Sequence, residues 1–162
     1  FKIGDNLALT TAGLVGHAQS LARTLAAEVS LFELRRGDAM TVRGAATLTA
    51  NILSGRPHWV QLLIVGVDNE GGSVYSIDSA GGSIPDSYCA TGSGSPYMYG
   101  VLEDGFNENM SRDAAVALAA RALSASAQRD AASGNGMDLA VITAKDGYVP
   151  VDQKEIAAIL KK

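Results

Sequence analysis

Thr91-Gly92-Ser93-Gly94-Ser95-Pro96 is a glycine-rich turn that leads directly into a predicted helix. Ser95 is expected to cap this helix, and Pro96 fits its first turn, where a missing N–H costs nothing. The glycines on both sides of Ser93 allow the backbone to come close to another segment of the chain. Taken alone, such a stretch is more often a tight turn and a cap than a functional site. The wider signatures of dinucleotide-binding and phosphate-binding loops are absent.

Two further segments add to this turn. Thr10-Thr11-Ala12-Gly13-Leu14-Val15-Gly16 follows a predicted strand, and Gln128-Arg129-Asp130-Ala131-Ala132-Ser133-Gly134 ends a predicted helix. Asp130 and Ser133 therefore lie on a turn, where their side chains can point at a common centre. The alternative for Asp130 is a solvated charge pair with Arg129, which contributes little to stability.

Together and in this order, the three segments resemble those of the β subunit of the 20S proteasome, of the archaeal type. The resemblance runs in register from Phe1 to about Val151, and several motifs in the right order are far more specific than one glycine-rich loop. It implies an α+β fold, the four-layer αββα sandwich of N-terminal-nucleophile hydrolases, with its opening strands missing. It also implies a single proteasome β-type domain over residues 1–162, truncated at its N-terminus.

The hydrophobic pattern independently predicts a mixture of strands and helices. Two alanine-rich helices follow the first strands, and the second is capped by Thr41 and ended by Gly55 and Pro57. Residues 59–67 are so continuously apolar that both faces of this strand are expected to be covered. Helices are predicted at residues 18–36 and 41–53, after Ser95, and at 112–128 with Ser111 as the cap. Asp152-Gln153-Lys154-Glu155 is interpreted as a capping box that opens a short terminal helix. Strands are predicted at 74–77, 137–143 and 148–151, and an irregular segment at 79–85.

The composition excludes several classes of protein. The 162 residues are 47% hydrophobic and carry a net charge of −4, which suits one domain with a sizeable core and argues against a nucleic-acid-binding surface. Cys89 is the single cysteine, so no internal disulfide can form, and the cytoplasm is the expected compartment. The longest apolar run, Leu62-Leu63-Ile64-Val65, is far too short to span a membrane.

By the resemblance, catalysis uses an N-terminal threonine, whose hydroxyl attacks a peptide carbonyl while its own amine or a neighbouring water takes the proton. Ser93, Asp130 and Ser133 match the family positions that surround this amine. A carboxylate and hydroxyls there would hold the amine in place and tune its proton affinity. These three are the expected catalytic side chains of this sequence.

The resemblance also places a substrate-binding edge near the start of the chain. Gly13 matches the residue whose backbone N–H stabilises the developing oxyanion, and a glycine there lets the substrate carbonyl approach. The stretch from Thr11 to Val15 matches the edge against which a substrate peptide pairs as an added strand. Thr11 and Val15, with Gln19 at a deeper position, then line the pocket for the residue before the cut. The alternatives are core packing for Val15 and a strand-end hydroxyl for Thr11.

The family's remaining catalytic groups are expected upstream of Phe1. They are the nucleophilic threonine, an aspartate that orients it and a lysine that lowers the proton affinity of the site. Phe1 supplies an amine but no hydroxyl, and no later threonine can replace a nucleophile that must also carry the free amine. We therefore expect the chain to be inactive by itself, and to be part of a longer subunit or one of two pieces that sit together.

Other reactive side chains are expected to take no part in catalysis. His17 and His58 are far apart in the sequence and have no cysteine or acidic partner at metal-ligand spacing, so both are interpreted as surface or interface residues. Cys89 has no neighbouring histidine, which argues against a cysteine protease. No metal ion and no organic cofactor are expected.

The leading hypothesis is a threonine endopeptidase that degrades unfolded polypeptides inside a barrel of stacked heptameric rings. Its partners would be identical or related β subunits, a ring of α subunits and, indirectly, an ATP-dependent unfoldase. The rival hypothesis is a structural β-type subunit that completes the ring and cuts nothing. A third is a bacterial relative of the same fold with a different ATPase partner, although the motifs favour the proteasome proper. The presence of Ser93, Asp130 and Ser133 favours a catalytic parent.

Overall fold

The computed structural model describes residues 1–56 and 58–161. Pro57, predicted to follow the end of the second helix, and Lys162 lie outside the described residues. Contacts divide the chain into two compact units. Unit 1 comprises Phe1–Thr91 and Ile142–Tyr148, and unit 2 comprises Gly92–Val141 and the residues from Val149 onward. The single domain expected from the sequence stays a prediction.

Unit 1 contains a four-stranded antiparallel sheet and two helices. The strands are β1 (Leu7–Gly13), β2 (Val60–Asp68), β3 (Gly71–Ile77) and β4 (Ser83–Asp86), and they lie side by side in chain order. Helices α1 (Val15–Arg36) and α2 (Val42–Gly55) connect β1 to β2. Because β1 has a neighbour on one side only within this sheet, it forms one of the sheet's two edges.

The core of unit 1 lies between the helices and one face of the sheet. Leu9, Ile64 and Tyr75 stand opposite one another on β1, β2 and β3, so they share that face. Leu9 and Ile64 are almost fully buried, together with Leu25 of α1. Each such side chain contributes about 1.5–3 kcal/mol on burial, which fixes the register of the edge strand.

The prediction that β2 is covered on both faces is met in full on one face only. On the other face Leu63 is buried, whereas Val65 and Val67 are half-buried. Trp59 lies before the strand rather than in it and is 77% exposed. The apolar run therefore marks the strand correctly but extends beyond the residues that pack.

The start of α2 follows the predicted signal. Thr41 Oγ1 accepts the N–H of Gly44 at 3.1 Å, and a second acceptor, Asp68 Oδ2, lies 2.8 Å from the N–H of Val42. These bonds satisfy N–H groups that the helix itself leaves without partners. Helix α1 begins at Val15, before the predicted start at residue 18. No side chain caps its first turn, so the sequence carries no capping signal at this position.

Unit 2 is built mainly from three helices. Helix α3 (Ser95–Gly105) packs against α4 (Arg112–Arg129), and α4 also contacts α5 (Gln153–Leu160). Its apolar cluster contains buried Val116, Val151 and Ile156. Within the described residues, no helix has the length and apolarity of a membrane span. The chain also forms a two-stranded sheet of β5 (Ala140–Thr143) and β6 (Gly147–Pro150), at the hairpin predicted from the sequence.

The predicted caps of α4 and α5 are confirmed, with one change at α5. Ser111 Oγ accepts the N–H of Ala114 at 3.2 Å, and Asp152 Oδ1 accepts that of Lys154 at 2.7 Å. Glu155, expected to close a capping box, binds Arg112 instead. The ion pair joins the N-terminal end of α4 to α5.

Candidate active site

A carboxylate and two hydroxyls meet where the turn before α3 approaches the C-terminal end of α4. Ser93 Oγ donates to Asp130 Oδ2 at 2.6 Å, and Ser133 Oγ donates to the same oxygen at 2.7 Å. The other carboxylate oxygen, Oδ1, accepts the N–H of Ala132 at 3.2 Å. The structure therefore brings together three of the predicted catalytic residues, although 37 positions separate Ser93 from Asp130.

The end of α4 positions Asp130 and Ser133. Asp130 is the C-cap residue, and its backbone turns to an extended conformation while its N–H still bonds to the carbonyl of Ser126 at 2.8 Å. The N–H of Ser133 then donates to the carbonyl of Asp130 at 3.1 Å. This turn brings the Ser133 hydroxyl back to the carboxylate three residues earlier.

Two glycines position Ser93 from the other side. Gly92 has a φ of 95°, a conformation that side chains disfavour. Gly94 lies so close to the hydroxyls of Ser126 and Ser133 that an added Cβ would overlap Ser126. Gly94 is also the N-cap of α3, so the prediction that Ser95 caps this helix is wrong. The cap position must come close to α4 and has no room for a side chain.

The surroundings of Asp130 favour its charged form. Hydrogen bonds from Ser133 and then Ser93 lower the pKa of Asp130 below its ordinary value, although partial burial opposes the shift. The ion pairs found among the described residues do not join it to Arg129. Two hydroxyls bind the Asp130 carboxylate, in place of the solvated charge pair with Arg129 that was considered from the sequence.

The lowered pKa predicts how acid should affect stability. The ionised carboxylate stabilises the fold above the unfolded-state pKa of about 3.9, and this stabilisation is lost as the pH falls through the lower folded-state pKa. The difference in free energy of unfolding between the unaltered chain and Asp130→Asn should therefore be constant near neutral pH and should change below about pH 4. Urea unfolding at a series of pH values measures it. A difference that stays constant down to pH 2 would contradict the shift.

Some peptide groups of β1 point away from the sheet. The N–H of Leu14 bonds to the carbonyl of Trp59 at 2.8 Å, on the β2 side. Because successive peptide groups of a strand alternate in direction, the N–H groups of Gly13 and Thr11 point to the outer edge. The N–H of Leu9 points in this same direction. It donates to the carbonyl of Phe1, which is not part of β2, at 2.9 Å.

Gly13 is required by the fold itself. Its φ is 115°, and a Cβ added there would overlap the carbonyl oxygen of Trp59 on the neighbouring segment. The chain turns here from β1 into α1. The sequence argument for this glycine relied on room for a substrate, whereas the structure adds a reason within the protein.

The three predicted pocket residues belong to unit 1, as Gly13 does. Thr11 is half-buried on β1, and Val15 and Gln19 are exposed on α1. Val15 is 66% exposed, so its alternative reading as a core residue is wrong. Val15 and Gln19 are four residues apart and therefore neighbours on one side of the helix. Their roles in binding stay predictions.

The structure pairs the two histidines, which the sequence did not predict. The rings of His17 and His58 meet edge to face with centroids 5.2 Å apart. His17 Nδ1 accepts the N–H of Trp59 at 3.1 Å, and His58 Nδ1 bonds to the carbonyl of Arg56 at 2.6 Å. Across the part of the chain that is described, no three His, Cys, Asp or Glu residues are grouped to hold a metal ion.

Cys89 lacks the environment of a reactive thiol. It is half-buried, and burial, followed by the nearby Asp86 carboxylate, raises the pKa of the thiol above its ordinary value. The nucleophilic form of a cysteine is the thiolate, which these surroundings disfavour.

Sequence reasoning missed one member of the polar cluster, Ser126. Its Oγ lies 2.9 Å from Ser133 Oγ, and the residue is 4% exposed. It is four residues before Asp130, so it lies on the same side of α4 as the end of the helix that carries the carboxylate. That spacing was the one feature of the sequence that could have indicated it.

Comparison with known proteins supports the family to which the motifs point. The family model for proteasome subunits matches residues 1–142. The chain is 46% identical to a proteasome subunit beta of Methanobrevibacter smithii, over 100% of this chain and 79% of that protein. The identity is 48% to a proteasome subunit beta of Ferroglobus placidus, with the same coverage, and 47% to one of Thermoplasma acidophilum, over 100% of this chain and 78% of that protein.

These matches cover Ser93, Asp130 and Ser133, and they extend over both compact units. The helices and antiparallel sheets agree with the α+β fold of N-terminal-nucleophile hydrolase type predicted from the sequence, and the family assignment confirms that prediction. The chain belongs to the proteasome subunit family, as a β-type subunit.

Proposed function

We propose that Ser93, Asp130 and Ser133 serve catalysis in a threonine-type endopeptidase that degrades unfolded polypeptides. The observation that carries the proposal is the convergence of two serine hydroxyls on one oxygen of Asp130, at 2.6 and 2.7 Å. A subunit that only completes a ring has no need of this arrangement at the end of a helix. The proposal therefore favours a catalytic subunit over the structural alternative.

The cluster suits the stabilisation of a protonated amine. When a threonine hydroxyl attacks a peptide carbonyl, its proton passes to the terminal amine, and positive charge develops there. The anionic Asp130 would stabilise that charge, as the carboxylate of a catalytic triad stabilises its imidazolium. Ser93 donates its one proton to Asp130, so its oxygen presents lone pairs to the N–H of the amine.

We assign the substrate contacts to residues at the edge of β1 and the start of α1. The N–H of Gly13 points to the outer edge of β1, where it can stabilise an oxyanion, and such a donor contributes about 2.7–4 kcal/mol to lowering the barrier. The peptide groups near Thr11 offer the same edge to an extended substrate. We assign Thr11, Val15 and Gln19 to the pocket for the residue before the cut. The exposed Val15 side chain would provide its apolar contact.

Membership of the family implies assembly with other proteasome subunits. We assign the chain to a heptameric ring of identical or related β subunits, stacked on a ring of α subunits and supplied by an ATP-dependent unfoldase. A cytoplasmic location suits the single, unpaired cysteine. The 162 residues would act as one domain within that particle, and neither a metal ion nor an organic cofactor enters the proposed chemistry.

The proposal predicts the behaviour of the native particle. It should cleave a fluorogenic peptide and a reduced, alkylated protein, keep this activity in EDTA, and yield threonine when the β subunit is sequenced from its N-terminus. The same protein with its disulfides and fold intact is the control and should be cleaved far more slowly. A particle that assembles, cleaves neither probe and has a β subunit without an N-terminal threonine would establish the structural alternative instead.

A further inference from the structure

We infer that Ser126 is a positioning residue for the Asp130 cluster, acting through Ser133. This inference rests on the proposed catalytic role of Asp130. Ser126 lies inside unit 2 on α4, 4% exposed, and its Oγ is 2.9 Å from Ser133 Oγ. A buried hydroxyl requires a hydrogen-bond partner, and Ser133 provides it.

The direction of each hydrogen bond follows from the number of protons available. Ser133 has one hydroxyl proton and donates it to Asp130 Oδ2 at 2.7 Å. Ser133 Oγ must then be the acceptor in its bond with Ser126, and Ser126 the donor. Ser126 therefore donates to Ser133, and Ser133 donates to the carboxylate.

This order constrains the orientation of the Ser133 hydroxyl. If Ser126 did not donate, Ser133 Oγ could rotate and use its proton on another acceptor such as water. Asp130 would then lose the hydrogen bond that lowers its pKa most. Ser126 thus acts indirectly, by fixing the Ser133 hydroxyl that stabilises the Asp130 carboxylate.

Gly94 encloses the pair of hydroxyls. A Cβ added at Gly94 would overlap Ser126 Oγ and would come within 2.8 Å of Ser133 Oγ. The turn that carries Ser93 therefore packs directly on Ser126, which links the position of Ser93 to the position of Ser133. A hydroxyl at residue 126 fits this space, whereas a longer side chain would displace the turn.

The test compares Ser126→Ala with Ser133→Ala and with the double variant in the assembled native particle. Ser126→Ala should lower the kcat for a fluorogenic peptide by about 2-fold to 10-fold, the effect of losing one neutral hydrogen bond. It should also move the acid limb of the kcat profile to higher pH, because the pKa of Asp130 rises. Added to Ser133→Ala, it should have no further effect on that profile. Ser124→Ala is the control, since Ser124 lies on the same helix but accepts from Gln128 at 3.3 Å.

Each outcome bears on one claim. An unmoved pH profile in Ser126→Ala, with Asp130→Asn inactive, would overturn the positioning role alone. Additive effects of Ser126→Ala and Ser133→Ala would also overturn it, because the serines would then act separately. Full activity of Asp130→Asn would instead remove the catalytic role on which the inference rests.

Discussion

Replacing Asp130 with asparagine should lower the peptidase kcat of the assembled particle by a factor of about 10² to 10⁴. In the unaltered protein, Ser93 Oγ and Ser133 Oγ lie 2.6 and 2.7 Å from Asp130 Oδ2. Asparagine has nearly the same shape and keeps an oxygen that can accept both hydrogen bonds. It lacks the negative charge that we propose stabilises the developing ammonium. The change should therefore act on kcat while the particle still assembles, which steady-state kinetics and size-exclusion chromatography measure together.

A second carboxylate provides the control for this experiment. Asp104 is exposed on α3 in the same unit, and Asp104→Asn removes one negative charge without touching the cluster. Its kcat should match that of the unaltered particle. Assembled Asp130→Asn particles with an unchanged kcat would contradict the assignment of Asp130 to the chemistry.

Replacing Gly13 with alanine should reduce kcat by about 10²-fold to 10³-fold, as expected when an oxyanion donor is displaced. The φ of 115° disfavours alanine, and the new methyl group would overlap the carbonyl oxygen of Trp59. The backbone must shift to relieve the overlap, and the N–H of Gly13 shifts with it. We also expect a loss of about 1–3 kcal/mol in the free energy of unfolding from backbone strain.

Gly71→Ala is the control that separates the effect of backbone strain from the displacement of the Gly13 N–H. Gly71 has a φ of 110°, and no atom lies within 4 Å of an added Cβ, so Gly71→Ala imposes similar strain without an overlap. The two variants should lose comparable backbone stability, but Gly71→Ala should keep its kcat. Comparison is made on assembled particles only, since strain also reduces their yield. Equal kcat values for the two variants would remove Gly13 from the oxyanion site.

Features that depend on neighbouring residues were mostly predicted correctly, although Gly94 and not Ser95 is the cap of α3. The caps Thr41, Ser111 and Asp152 were confirmed because each uses a bond to an N–H two or three residues away. The start of α1 was missed since no side chain caps it. Strand β4 was missed because all four of its residues are exposed and one is Pro85, which leaves no alternating pattern.

The candidate site could be predicted from the sequence only in part. Ser93, Asp130 and Ser133 were predicted from a family resemblance, whereas Ser126 belongs to no quoted motif and depends on how α4 faces the turn before α3. Gly94 was understood as a residue that allows close approach, but only the structure shows that Ser126 and Ser133 are what it approaches. The meeting of His17 with His58 likewise depends on a tertiary contact and leaves no trace in their spacing.

The outward peptide groups of β1 bear on what the enzyme accepts. On the proposed role of this edge, they would bind main-chain atoms of the substrate, which every polypeptide shares, and so would not discriminate among sequences. A folded protein has nearly all of its buried peptide groups already paired internally and cannot present a free stretch to Thr11 and Gly13. On this proposal, an edge that binds main-chain atoms would itself favour chains that have lost their structure, before any surrounding chamber restricts entry.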